Sequence, residues 1–90
     1  MRESLIEDTV VAAAENAGWL VRKLTYVGRR GAPDRFFMRD GNVLFVEFKR
    51  SGKSHADPLQ KREHARFKDA GFEVHIINNI EDGYKLLGLY

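Results

Sequence analysis

Ninety residues, 43% of them hydrophobic and 31% charged, describe a single domain spanning residues 1 to 90, with a core small enough that burial against a partner would help to stabilise it. The absence of cysteine excludes a disulfide framework and a thiolate zinc site, and no apolar run is long enough to cross a bilayer. With no signal-peptide pattern at the N-terminus, the chain is expected to be soluble, cytoplasmic and free of membrane. The net charge of +2 conceals a segregated distribution: residues 1 to 21 carry one Arg against four acids, residues 69 to 90 one Lys against four, and residues 22 to 68 thirteen Lys and Arg against five. A middle segment of +8 between two ends of −3 points to a polyanionic partner more than to a merely solvated surface.

Ser4 followed by Glu7 has the spacing of a capping box, and Leu5, Ile6, Val10, Ala13, Ala14 and Ala17 recur at helical intervals, which predicts a helix over 3 to 17 that stops at Gly18. Strands are expected over 19 to 26, 34 to 39 and 43 to 49, with Asp40-Gly41-Asn42 as the tight turn between the last two, because Gly and Asn tolerate positive φ. A polar loop, 50 to 56, leads to Asp57 as N-cap and Pro58 in the first turn of a second helix, which Gly71 can end. A fourth strand over 73 to 78 and a closing helix over 80 to 87 complete the order αβββαβα, that of an α/β fold with one mixed β-sheet flanked by helices. No internal repeat, linker or second domain is visible.

The chemistry concentrates in Pro33-Asp34 and Glu47-Phe48-Lys49, the two carboxylates separated by twelve residues. Side chains of a strand alternate, so Glu47 and Lys49 share one face while Val46 and Phe48 occupy the other. Asp34 taken alone is an ordinary turn residue. Glu47 is harder to explain structurally, because a charge inside an apolar strand is costly unless paired; a salt bridge with Lys49 is the plain alternative. Two neighbouring carboxylates repel, so one tends to hold a proton unless a cation joins them, and Mg2+ is suited to that role through oxygen ligands and water. The ion would polarise a phosphate and acidify water, with Lys49 positioning the nucleophile.

Pro-Asp, the gap and Glu-x-Lys resemble the PD-(D/E)xK nuclease signature, and Gly28-Arg29-Arg30-Gly31-Ala32-Pro33-Asp34-Arg35 is similar to its VRR-NUC branch in the small stand-alone form of viruses and bacteria. The similarity runs from Arg2-Glu3-Ser4 through Asp57-Pro58-Leu59-Gln60 to Gly71-Phe72. Ala32 stands where Val or Leu is more usual, and Phe48 where Val is; neither change removes a ligand. The resemblance implies a restriction-endonuclease-like core and a Mg2+- or Mn2+-dependent endonuclease. Its metal would be held by Asp34, Glu47, the Phe48 carbonyl and an acid of helix one, and Lys49 and Gln60 would complete the catalytic set.

For the helix-one acid two candidates stand one turn apart. The step from Glu7 to Gly18 resembles archaeal Holliday-junction resolvases, whereas Glu3 occupies another acidic position of the VRR-NUC pattern; Glu7 is preferred and Glu3 is the alternative. Gln60 can bind phosphate or hold Lys49, and it also has capping-box spacing from Asp57. Arg29, Arg30 and Arg35, with Lys53, Lys61, Arg62 and His64, are the candidate DNA contacts. Histidines at 55, 64 and 75 are too scattered for a metal site. Most Phe residues read as core, and no aromatic ladder suited to single-strand stacking is evident.

The expected activity is structure-selective cleavage of branched or duplex DNA in the manner of a Holliday-junction resolvase, carried out by a homodimer. The alternatives are a flap or nicking nuclease, or a DNA-binding module that does not cut. Trp19, Phe72, Tyr84, Leu86, Leu87 and Tyr90 are the candidate interface residues, the C-terminal segment foremost.

Overall fold

The apolar stripe of α1 (Glu3–Asn16) places Ile6, Val10 and Ala14 on one side of the helix, and all three are buried. They pack on a sheet in the computed structural model, which describes residues 1–89. The expected capping box at Ser4 and Glu7 does not form: Arg2, in extended conformation, is the N-cap, so Ser4 already lies inside the first turn.

The sheet contains β1 (Leu20–Lys23), β2 (Arg35–Arg39), β3 (Asn42–Phe48) and β4 (Val74–Ile77) in that spatial order. Its first two pairings are antiparallel and β3 to β4 is parallel. A parallel neighbour requires a crossover, which α2 (Pro58–Asp69) provides, and α3 (Ile80–Leu86) closes the chain. The observed order is αβββαβα.

Two local expectations shift. β1 ends at Lys23 instead of continuing to Tyr26, because after the Leu24 N–H donates to the Asp34 carbonyl the chain leaves the sheet as a loop. The β2–β3 turn rests on Asp40 and Gly41, both with positive φ (52° and 81°), while Asn42 already pairs with Arg39.

Alternation along β3 divides the molecule into two layers. Leu44, Val46 and Phe48 join Phe37, Val21 and Ile77 in the core beneath α1 and α3, whereas Phe45, Glu47 and Lys49 face α2. Helices α1 and α3 approach so closely that a Cβ on Gly83 would lie 2.5 Å from Val10 Cγ2. Trp19 and Leu87 are buried in this core and Leu86 packs against it, so they are not available as an interface; α3 covers its own sheet. Phe72 remains exposed, and Tyr90 lies outside the described residues. Among the described residues no helix is long and apolar enough to cross a membrane.

Helix α2 buries only Glu63 and docks largely through polar bonds. Glu63 accepts from the Tyr26 hydroxyl of the β1–β2 loop and from Arg66 Nη1 at 3.2 Å. The Tyr26 bond holds the Glu63 carboxyl below its ordinary value, while burial and Glu63 together push Tyr26 up to about 12. The link therefore contributes stability that is full between the two ordinary values, 4.5 and 10. It fades as pH falls through the depressed Glu63 value, and again as pH rises toward about 12. Tyr26→Phe is expected to cost about 1–3 kcal/mol at neutral pH, with the gap to wild type narrowing at both extremes in denaturant titrations across pH.

Candidate active site

The divergence of β2 and β3 creates the site. Their last pairing is Arg35 with Val46; beyond it Asp34 turns into the opening, and its Oδ2 accepts from the Phe48 N–H at 2.7 Å. The next amide, Lys49 N–H, donates to Ile77 on the opposite edge. Because the N–H and C=O of a strand residue lie on the same edge, the Phe48 carbonyl lies on the Asp34 side.

Glu47 and Lys49 are 2% and 5% exposed, so both faces of β3 are closed where it ends. Gln60, on the first turn of α2, organises the pair: its Nε2 donates to Glu47 Oε2 at 2.7 Å, and its Oε1 accepts from Lys49 Nζ at 2.8 Å. The same Oε1 accepts from the Asp57 N–H at 3.0 Å, so Gln60 caps the helix and holds the lysine at once. Lys49 Nζ lies 3.4 Å from Glu47 Oε2. Glu47 Oε1 is buried and has no hydrogen-bond partner among the described residues.

Burial, reinforced by the charge of Asp34, raises Glu47 to about 7 despite the neighbouring Lys49. Asp34 is also raised, by burial first and by the charges of Glu7 and Glu3, against the opposing effect of its bond from Phe48. Two carboxylates held this way favour either a shared proton or a cation, and the buried Glu47 Oε1 is an oxygen donor suited to one. These residues fit a hard divalent cation. Among the described residues no three His, Cys, Asp or Glu side chains gather closely enough to hold one by themselves. The remaining positions would fall to the Phe48 carbonyl, water and phosphate, as Mg2+ prefers.

The helix-one acids stand farther out. Glu7 is engaged by Arg35 Nε at 2.7 Å, both side chains being largely enclosed, and Glu3, exposed in the first turn, reaches Asp34 only through its field. Arg35, expected as a phosphate contact, uses its Nε to tie β2 to α1. Arg29, Arg30, Lys61 and Arg62 are exposed as a DNA contact requires, while Lys53 makes a weak pair with Asp57 at 3.5 Å. His64 is half-buried instead of lying on the surface; its Nε2 is enclosed and unpartnered, and burial together with Lys49 lowers its pKa.

Two features escaped sequence reasoning. The Tyr26–Glu63 bond joins residues 37 positions apart, and only the shared helical face of Gln60, Glu63 and Phe67 hinted at it. Phe45, Phe67 and Phe72 do not join the main core but meet edge to face on the α2 side, with ring centroids at 4.8 and 5.7 Å from Phe45.

No family model matches the chain. A phage protein named "Putative nuclease p44", from Acyrthosiphon pisum secondary endosymbiont phage 1, is 36% identical over 80 residues, covering 88% of this chain and 85% of that protein. A solved structure described as a "VRR_NUC domain" superposes with a TM-score of 0.88 at 37% identity, covering 98% of this chain and 96% of the other. The alignment of fold, length and sequence, together with the Asp34, Glu47 and Lys49 constellation, places this chain in the VRR-NUC family of nucleases.

Proposed function

We propose that the protein is a Mg2+- or Mn2+-dependent DNA endonuclease that hydrolyses phosphodiester bonds of branched or duplex DNA as a homodimer, in the manner of a junction resolvase. The observation that carries the chemistry is the Glu47 carboxylate, bonded at Oε2, unpartnered at buried Oε1 and raised to about 7 beside Asp34. Asp34, Glu47 and the Phe48 carbonyl would hold the cation, which when bound supplies Lewis-acid polarisation of the scissile phosphate and a more acidic water. Lys49, fixed by Gln60, presents Nζ to orient that water or to offset charge on the phosphate oxygens. Arg29 and Arg30 lie on the loop beside α2, Arg30 next to the helix N-terminus and Arg29 farther along, and position the DNA backbone without reading bases. Glu7 supports the site by tethering Arg35 and, with Glu3, by adding negative field at Asp34.

A junction offers two symmetry-related strands, so an isologous dimer would place one centre at each. With α3 occupied by its own core, an apolar surface open to a second copy is the part of the sheet face that α2 does not cover, where the cross-strand partners Leu20 and Met38 are exposed.

Asp34→Asn and Glu47→Gln are expected to lower cleavage at least about a hundredfold while leaving DNA affinity nearly unchanged, and Lys49→Ala to behave similarly. Cleavage that persists in EDTA, or in the Asp34→Asn protein, would remove metal catalysis at this site.

Replacing Arg29 and Arg30 by Ala should weaken binding to all sequences alike and reduce the salt slope by about 0.9 for each phosphate that is no longer neutralised. An unchanged slope in anisotropy titrations would locate the DNA surface elsewhere.

Sedimentation equilibrium should give twice the monomer mass, with paired nicks in opposite strands of a four-way junction. A monomer that cuts a single strand of a flap would replace the resolvase with a flap nuclease.

A further inference from the structure

The loop after β1 and helix α2 border two hollows. The walls of the one near the candidate active site are Arg30, Gly31, Asp57, Pro58, Leu59 and Gln60, around a volume of about 410 Å³. Gly31 makes the close approach possible: its φ is +95°, and a Cβ there would lie 2.6 Å from the Leu59 carbonyl oxygen. Farther along α2 a second hollow of about 430 Å³ opens, with Phe45, Phe67 and Phe72 beside Arg29, Glu63 and Arg66.

The chemistry of this second hollow is unusual for a fold with so little apolar surface to bury. Phe72 is 46% exposed, and Phe45 and Phe67 are only half-buried, so three aromatic rings remain within reach of solvent. The rim carries two guanidinium groups from the +8 segment. Its one acid, Glu63, is already satisfied on both oxygens by Tyr26 and Arg66 and presents little free charge to an anion. A ligand matching the hollow therefore has a flat π face and an adjoining negative charge. Its volume lies in the range of pockets that enclose a small organic group, roughly 300–1,000 Å³.

We infer that this hollow holds one unstacked nucleotide of the DNA substrate, its base against Phe45, Phe67 and Phe72 and its flanking phosphates on Arg29 and Arg66. The inference rests on the DNA-cleaving function proposed above and deepens it. Removing a base from a duplex costs stacking and pairing energy, and the cost is least where the base is already unpaired. DNA with an unpaired nucleotide near the scissile bond would be favoured over continuous duplex, which gives a fold without base-reading elements a source of structural selectivity. The two hollows are bordered by neighbouring residues of one loop, Arg29 at the aromatic hollow and Arg30 and Gly31 beside Gln60, so a strand that follows this loop leads from the aromatic hollow toward the Glu47/Lys49 centre.

The test compares a fully paired duplex with the same duplex carrying one unpaired nucleotide, by anisotropy in Ca2+ and without Mg2+ or Mn2+. Wild type should bind the unpaired form more tightly. Phe72→Ala, at an exposed position that the core does not need, should reduce that affinity about tenfold, whereas Phe72→Trp should preserve it. Leu5→Ala, which removes an equally exposed apolar side chain on α1, should change neither affinity. Thermal unfolding of each variant establishes that its fold is intact. An equal ratio of the two affinities in wild type and Phe72→Ala would overturn the inference. If that result accompanies normal cleavage in Mg2+, the nuclease function stands and only the nucleotide site falls. A protein that binds neither DNA defeats both.

Discussion

A carboxylate enclosed at the end of a central strand, with one oxygen lacking a partner, is a large liability for a domain of ninety residues. An unsatisfied buried acceptor costs on the order of 1–3 kcal/mol, a sizeable part of the total stability of a small fold. Glu47 is nevertheless held there, and much of the surrounding structure manages the consequence. Gln60 satisfies one oxygen, Lys49 supplies opposite charge, and the N–H of Phe48 anchors the second carboxylate, Asp34, in the gap where β2 and β3 separate. The orphaned oxygen is the point at which the proposed cation would offset that cost.

Gln60 links this constraint to the fold as a whole. Helix α2 has little apolar surface to bury; it is seated by the Gln60 amide at one end, by Glu63 on Tyr26 in the middle and by Phe67 on Phe45 beyond. The amide bridges are short because the first turn of the helix comes directly over the end of β3. That proximity depends in turn on the approach of Gly31 to the Leu59 backbone, which no larger residue would permit without displacement. The geometry of the candidate site and the docking of α2 are consequently one arrangement, and a change in Gln60 acts on both.

Charge is partitioned by the same architecture. The acids of α1 lie on the face of the sheet opposite α2, where Glu7 is tied to Arg35 and contributes field to Asp34. The exposed arginines Arg29 and Arg30 are carried by the loop between β1 and β2, beside α2. Negative charge therefore accumulates where a cation would reside, and positive charge along the path of a polyanion. The segregation seen along the chain is preserved in space because the basic segment contains both the loop and the helix that border the site.

The sequence by itself determined the order of elements and the main pair of acids. Periodicity of two through Val43 to Lys49 and the helical recurrence of Ile6, Val10 and Ala14 are local signals, and the Asp-Gly turn fixes the β2–β3 register within a few bonds. The Asp34, Glu47 and Lys49 pattern was legible because a charge within an apolar strand has few structural explanations. Tertiary structure alone decided which partner each charged group would take. Ser4 and Glu7 have the spacing of a capping box, yet packing against β2 gives Glu7 to Arg35, an ion pair that no local spacing announces. Phe45, Phe67 and Phe72 have the pattern of core residues, and only the crossover of α2 reveals that they border a hollow. The Tyr26–Glu63 bond was invisible for the same reason: hydrogen bonds between distant segments depend on how layers meet, and local spacing carries no information about that meeting.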